Sequence, residues 1–185
     1  GSLELLVREG DVIAPDRTVE RVLSEVEWLG GDRVLGRVSS TSVFDVPPIP
    51  GPFESYVVLG DGPPRVLIET GQAVPDRDGT PQPLAVFAGL ADATAPSGRG
   101  LAVLRAFVDE TDAGGPPFPF FGSGLYWTDG DTVREIVRAG QSVPGMPGRV
   151  FGSDSRVAVN GLGQVAFSVT VVIPDGAFGS DPRSV

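Results

Sequence analysis

Histidine, cysteine and lysine are all missing from this chain of 185 residues. Without histidine the commonest general base, the usual serine triad and most transition-metal sites are excluded. Without cysteine there is no disulfide, no thiolate nucleophile and no zinc–thiolate site, which leaves the redox compartment open. All 14 basic residues are arginine, so no amine is present to form a Schiff base. Against them stand 24 acidic residues and a net charge of −10, a balance that repels phosphate backbones and anionic lipid and argues against nucleic-acid and membrane-surface partners. No apolar run reaches the roughly 18 residues that a membrane-spanning helix needs.

What is abundant is glycine and proline, 26 and 18 residues, in a chain that is 41% hydrophobic. That combination has enough apolar material for a core and favours many short strands joined by tight turns, so the expected fold class is all-β. One phrase returns three times: Leu6-Val7-Arg8-Glu9-Gly10-Asp11, Leu67-Ile68-Glu69-Thr70-Gly71-Gln72 and Ile136-Val137-Arg138-Ala139-Gly140-Gln141, followed by Pro15, Pro75 and Pro144. The glycines lie 61 and 69 residues apart. A sequence that reuses a unit of this length stacks modules that cannot each bury a face alone.

Between the glycines, two-residue alternation and turn residues mark strands at Val19 to Trp28, Arg33 to Val38, Ser55 to Leu59 and Arg65 to Thr70 in the first unit. The second unit repeats the order with Leu84 to Leu90, Leu101 to Val108, Leu125 to Trp127 and Val133 to Arg138, and the third supplies Arg149 to Val159 and Gln164 to Val172. Val19, Val22, Leu23 and Val26 also fit one face of a short helix, which is the alternative for that segment. Gly60 to Pro64 reads as a turn, and Asp129-Gly130 as a type I′ hairpin turn. The expectation is a single repeat domain over 1–185 made of three propeller-like units of about four antiparallel strands each, at 11–71, 72–140 and 141–185. The strand Leu3 to Gly10 closes a unit whose first part is missing, and the third unit stops without a closing strand. That strand is therefore expected to complete the third unit, within one molecule or between neighbours, the latter giving an oligomer.

The phrase Arg8-Glu9-Gly10-Asp11 with its nearby proline, the run Asn160-Gly161-Leu162-Gly163-Gln164-Val165-Ala166-Phe167, and Gly124-Leu125-Tyr126-Trp127 ahead of Asp129-Gly130 resemble the tandem repeats of a group of uncharacterised exported bacterial proteins. In that group "REGDPAPG" alternates with "N-x-x-G-x-V-A-F". The resemblance implies a β-propeller-like repeat protein, extracellular or at the bacterial cell surface, with no assigned activity. The second unit departs from it in lacking the Asn-Gly-x-Gly turn.

Chemistry-bearing residues are few. Glu25 and Glu27 beside Trp28 have the makings of a glycosidase carboxylate pair, although alternate acids in one strand usually mark a solvated face. Asp76 with Asp78, Asp109 with Glu110 and Asp112, and Asp129 with Asp131 offer oxygen ligands in loops; Asp76 and Asp78 are the best calcium pair, and no other cofactor is expected. Phe118, Phe120 and Phe121, set among prolines, form either a partner-binding patch or a cap on the sheet edge. Trp28, Trp127 and Tyr126 suit a sugar-stacking platform or a strand core. The functional expectation is a non-enzymatic structural or binding module; a glycosidase-like enzyme or a carbohydrate-binding propeller is the alternative. The two separate on whether carboxylates from different units converge in one pocket or are dispersed over turns.

Overall fold

A computed structural model of the chain describes residues 7–42, 53–60, 62–95, 100–110 and 121–173. Among them there are twelve strands and no helix. The strands are β1 (Val12–Ala14), β2 (Arg17–Gly30), β3 (Arg33–Ser42), β4 (Phe53–Gly60), β5 (Gly62–Glu69), β6 (Ala73–Pro75), β7 (Pro81–Thr94), β8 (Ala102–Glu110), β9 (Phe121–Thr128), β10 (Val133–Arg138), β11 (Val150–Val159) and β12 (Val165–Val172). Val19 to Trp28, which also had helical spacing, lies wholly within β2.

Connectivity is simple because within each sheet every neighbour in sequence is a neighbour in space. The first sheet runs β1-β2-β3-β4-β5, the second is the meander β6 to β10, and β11-β12 form a separate ribbon. The two complete meanders have five strands where four were expected, because the three-residue strands β1 and β6 pair onto the starts of the long strands β2 and β7. The first sheet curls until its edge strands β1 and β5 lie against each other.

The repeated phrase is one turn built three times. The N–H of Asp11, Gln72 and Gln141 donates to the carbonyl of Arg8, Glu69 and Arg138 at 3.1, 3.1 and 3.2 Å. The glycine N–H then reaches the next long strand, at Val19, Phe87 and Phe151, over 2.8, 2.7 and 2.8 Å. A side-chain oxygen of Asp11, Gln72 or Gln141 accepts the N–H of the turn's first residue at 2.9, 3.0 and 3.1 Å. The fourth position of the turn, the last of the phrase, is thus filled by an Asp or Gln acceptor. Gly10, Gly71 and Gly140 have φ of 89°, 86° and 85°, the left-handed region a type II turn demands at its third residue.

Because the turn anchors Val19, Phe87 and Phe151 identically, these residues define a corresponding face, here the front, of each layer. On the front of the first sheet Ile13, Val19, Val38, Val57 and Leu59 form one buried cluster, with Val7 packed against it. On its back, Leu35, Tyr56, Val58 and Ile68 join Phe87, Leu90, Leu104 and Tyr126 from the front of the second sheet. Phe87 and Tyr126 meet edge to face there, 5.2 Å apart. The back of the second sheet, with Val103, Leu125 and Val137, packs on Phe151, Val157, Val159 and Val165 of the ribbon. Both interlayer contacts are therefore back on front.

Polar groups fix the first of these contacts. β7 bulges between Leu90 and Ala93, which takes its main chain out of the ladder. The Tyr56 hydroxyl and the Arg37 guanidinium donate to the Ala91 carbonyl at 2.8 and 2.5 Å, and Glu54 accepts the Leu90 N–H at 3.0 Å. In the second contact the Ser123 hydroxyl donates to the carbonyl of Ser153, inside the bulge of β11.

Two local expectations are corrected. Gly62 to Pro64 belong to β5, because this is a sheet edge where a proline's missing N–H costs no ladder bond. The Asp129-Gly130 turn is not type I′, since among the described residues no residue other than glycine has positive φ and the strand ends pair Thr128 with Val133 across a longer loop. The strand Leu3 to Gly10 lies outside the described residues up to position 6, and residues 7–10 form the entry to the first repeated turn, with no strand assigned.

Candidate functional site: the cleft between the first two sheets

A cleft of about 330 Å³ opens where β5 of the first sheet meets the β6–β7 turn and the β9–β10 hairpin of the second. Leu67, Ile68 and Val133 with Pro75 and Pro81 make its apolar lining, and Gln72, Asp78, Asp131 and Arg134 supply the polar groups.

Each wall is shaped by a carboxylate that folds its own loop. Asp76 Oδ1 accepts the N–H groups of Asp78 and Thr80, both at 2.8 Å, while its carbonyl accepts those of Gly79 at 3.0 Å and Glu135 at 3.1 Å. Residues 76–80 are thereby closed into an Asx-type turn and tied to β10, with Asp78 exposed at the rim. In the hairpin, Asp129 Oδ1 accepts the N–H of Asp131 at 2.9 Å, the N–H of Thr132 at 2.8 Å and the Thr132 hydroxyl at 3.2 Å. Burial would raise the Asp129 carboxyl, but those donors outweigh it and hold the group below its ordinary value.

That turn aims Asp131 at the first sheet. Arg65 lies 2.7 Å and Arg33 3.3 Å from its two oxygens, and Arg65 also donates to the Gly130 carbonyl. Arg134, on the cleft wall, stacks over Trp127 at 5.4 Å. Such a cleft offers an apolar floor and, at its rim, the exposed Asp78 carboxylate to a small polar ligand.

A family model described as "Family of unknown function (DUF7453)" matches residues 1–181. The chain belongs to that family. No curated protein and no solved structure matches it.

In this family member the calcium pair Asp76 and Asp78 comes together only through the turn, where the Asp76 carboxylate is occupied by main-chain N–H groups. Among the described residues no three acidic side chains gather in a way that would hold a metal ion. Asp109 is half-buried within β8; Asp112 lies outside the described residues. Glu27, on the back of the first sheet, accepts the Ala95 N–H at 3.4 Å and so bridges the layers. Phe121 begins β9 opposite Asp109, and Phe118 and Phe120 lie outside the described residues.

The aromatic residues do not converge. Trp28 stands exposed on β2, Tyr126 is fully buried between the sheets, and Trp127 points to the opposite face of β9 towards the ribbon. The residues that sequence reasoning missed are Arg33, Arg65, Arg134 and Gln72. Arginine type and position alone carry no sign of a partner 66 or 98 residues away. Gln72 was visible as the variable last letter of the repeated phrase.

Proposed function

We propose that the chain is a non-enzymatic structural or binding module that works outside the cytoplasm of a bacterium, built of propeller-like units stacked back on front. The observation that carries this reading is how its carboxylates are used. Asp11, Asp76 and Asp129 hold turns; Glu69, Asp92 and Glu135 pair with Arg17, Arg105 and Arg138; Glu27 and Glu54 accept main-chain N–H groups of the next layer. Acidic groups spent on architecture are what a scaffold needs, whereas a hydrolase of the glycosidase type needs two of them facing a substrate. Self-association by strand complementation, with residues 3–10 completing the third unit, belongs to the same reading. Its test is deletion of residues 1–10 with light scattering and thermal melting as readouts. Loss of the assembly, or unfolding of the monomer, is expected; a truncated protein that keeps both its stability and its oligomeric state would eliminate strand completion.

The cleft favours a second reading, a carbohydrate-binding module. Its volume suits a sugar unit or two, and acceptors at the rim with an apolar floor match hydroxyl-rich rings. Titration calorimetry against a panel of neutral oligosaccharides checks it. Binding that Arg134→Ala and Asp78→Ala weaken supports the reading, and heat-silent titrations across the panel refute it.

A further inference from the structure

The layer repeat assigns a partner to a surface that is otherwise unexplained. On the outer half of β2, Val22, Val26 and Trp28 are 40%, 59% and 58% exposed. All three share the front face of the first sheet, since they pair with Val38, Gly36 and Val34. Their counterparts in the second sheet are identified by register. Leu90 pairs with Ala106 just before the bulge of β7 as Val22 pairs with Val38 before the bulge of β2, and Ala93 follows the bulge as Val26 does. Leu90 is only 3% exposed, and Ala93 and Ala95 pack into the same cluster beneath the back of the first sheet. Hence the stripe that is buried in the second layer stands bare in the first.

The ribbon shows the converse on the face turned away from the second sheet. Val157, Val159 and Val165 face the second sheet, so Ala158, paired with Ala166, and Arg156, paired with Ser168, lie on its back, and all four are exposed. In the internal contact Leu35, Tyr56 and Ile68 of a back share one cluster with Leu90, and Ala93 and Ala95 of the same front pack against it. The outer faces pair an apolar front, Val22, Val26 and Trp28, with a back of mostly small side chains, Ala158, Ala166 and Ser168, beside Arg156.

We propose that a second copy of this chain docks the back of its β11–β12 ribbon on the Val22, Val26 and Trp28 stripe, continuing between molecules the back-on-front stacking found within one. This deepens the self-assembly reading above by naming its surfaces. A contact of this kind joins unlike faces, so it propagates head to tail into a ring or a filament.

Sedimentation velocity of the full chain over a range of concentrations tests it, with Val26→Glu to block the front and Ala158→Arg to block the back. Both positions are exposed, and far-ultraviolet circular dichroism checks that each variant stays folded; Trp28→Ser and Ser168→Arg serve as second variants. Each substitution alone is expected to weaken association at least about tenfold, the range of a central interface residue. Mixing the front-blocked and back-blocked chains should restore a one-to-one dimer, because each brings the intact face the other lacks. A parent that stays monomeric, or a mixture that does not pair, overturns the proposal. Variants that associate like the parent while deletion of residues 1–10 abolishes association also overturn it, and leave strand completion standing.

Discussion

Replacing the glycines of the repeated turn isolates a purely conformational cost. At Gly10, Gly71 and Gly140 an added Cβ would meet nothing within 4 Å, so packing does not oppose a side chain at any of the three. What opposes it is φ near +85° to +89°. An L-residue in that region costs about 1–2 kcal/mol, offset by about 0.4–1 kcal/mol because alanine also restricts the unfolded chain. Gly71→Ala and Gly140→Ala should therefore each destabilise by about 1 kcal/mol, and the β-branched Val variants by about 2 kcal/mol. Gly71→Asn should recover much of the loss, since asparagine tolerates this region. Two controls bracket the series. Gly36 has ordinary φ and its Cβ would meet Leu59 at 3.4 Å, so Gly36→Ala should be nearly neutral. Gly60 combines a φ of 132° with an added Cβ that would collide with the Asp32 carbonyl, so Gly60→Ala should cost more than any variant of the turn glycines. Urea denaturation at constant slope reads these differences as midpoint shifts of a few tenths to about 1 M for the turn variants. Equal stability of parent and Gly71→Val, or widely different costs at Gly71 and Gly140, would refute the claim that one turn geometry is repeated.

The depressed Asp129 carboxyl sets a pH dependence: a group whose folded value lies below its unfolded one, about 3.9, stabilises above that value and loses the contribution as pH falls through the folded value. Urea midpoints should thus fall on acidification below about pH 4, less steeply in Asp129→Asn, and an unchanged slope in that variant would count against the assignment. Arg17 donates to both oxygens of Glu69, at 2.8 and 3.0 Å, and this bond outweighs desolvation in raising the guanidinium above its ordinary value. With both side chains mostly buried, Glu69→Ala should cost about 2–3 kcal/mol, and a double-mutant cycle with Arg17→Met should return a coupling of more than about 1 kcal/mol; simple additivity would refute the pairing.

Sequence by itself determined what depends on nearest neighbours along the chain. Alternation of apolar residues placed the strands, and β10 was delimited at Val133 and Arg138 because Asp-Gly before it and Ala-Gly after it punctuate the run. The repeated glycines were legible for the same local reason, a backbone angle that favours a residue without a Cβ. Tertiary structure decided what a segment cannot hold alone. A three-residue strand such as Val12–Ala14 has too few ladder bonds to stand without β2, so the fifth strand of each sheet was invisible beforehand. Pro63 and Pro64 could enter a strand only because β5 is an edge, which is a property of the sheet. Of the acidic residues that offered a metal or an active site, Asp76 and Asp129 were taken by main-chain N–H groups and Asp131 by two arginines from the other sheet. Whether a carboxylate meets a guanidinium, an N–H or water depends on which layers stack, and that choice rests on the fit of whole faces, Tyr56 and Ile68 over Phe87 and Tyr126, which no local pattern encodes.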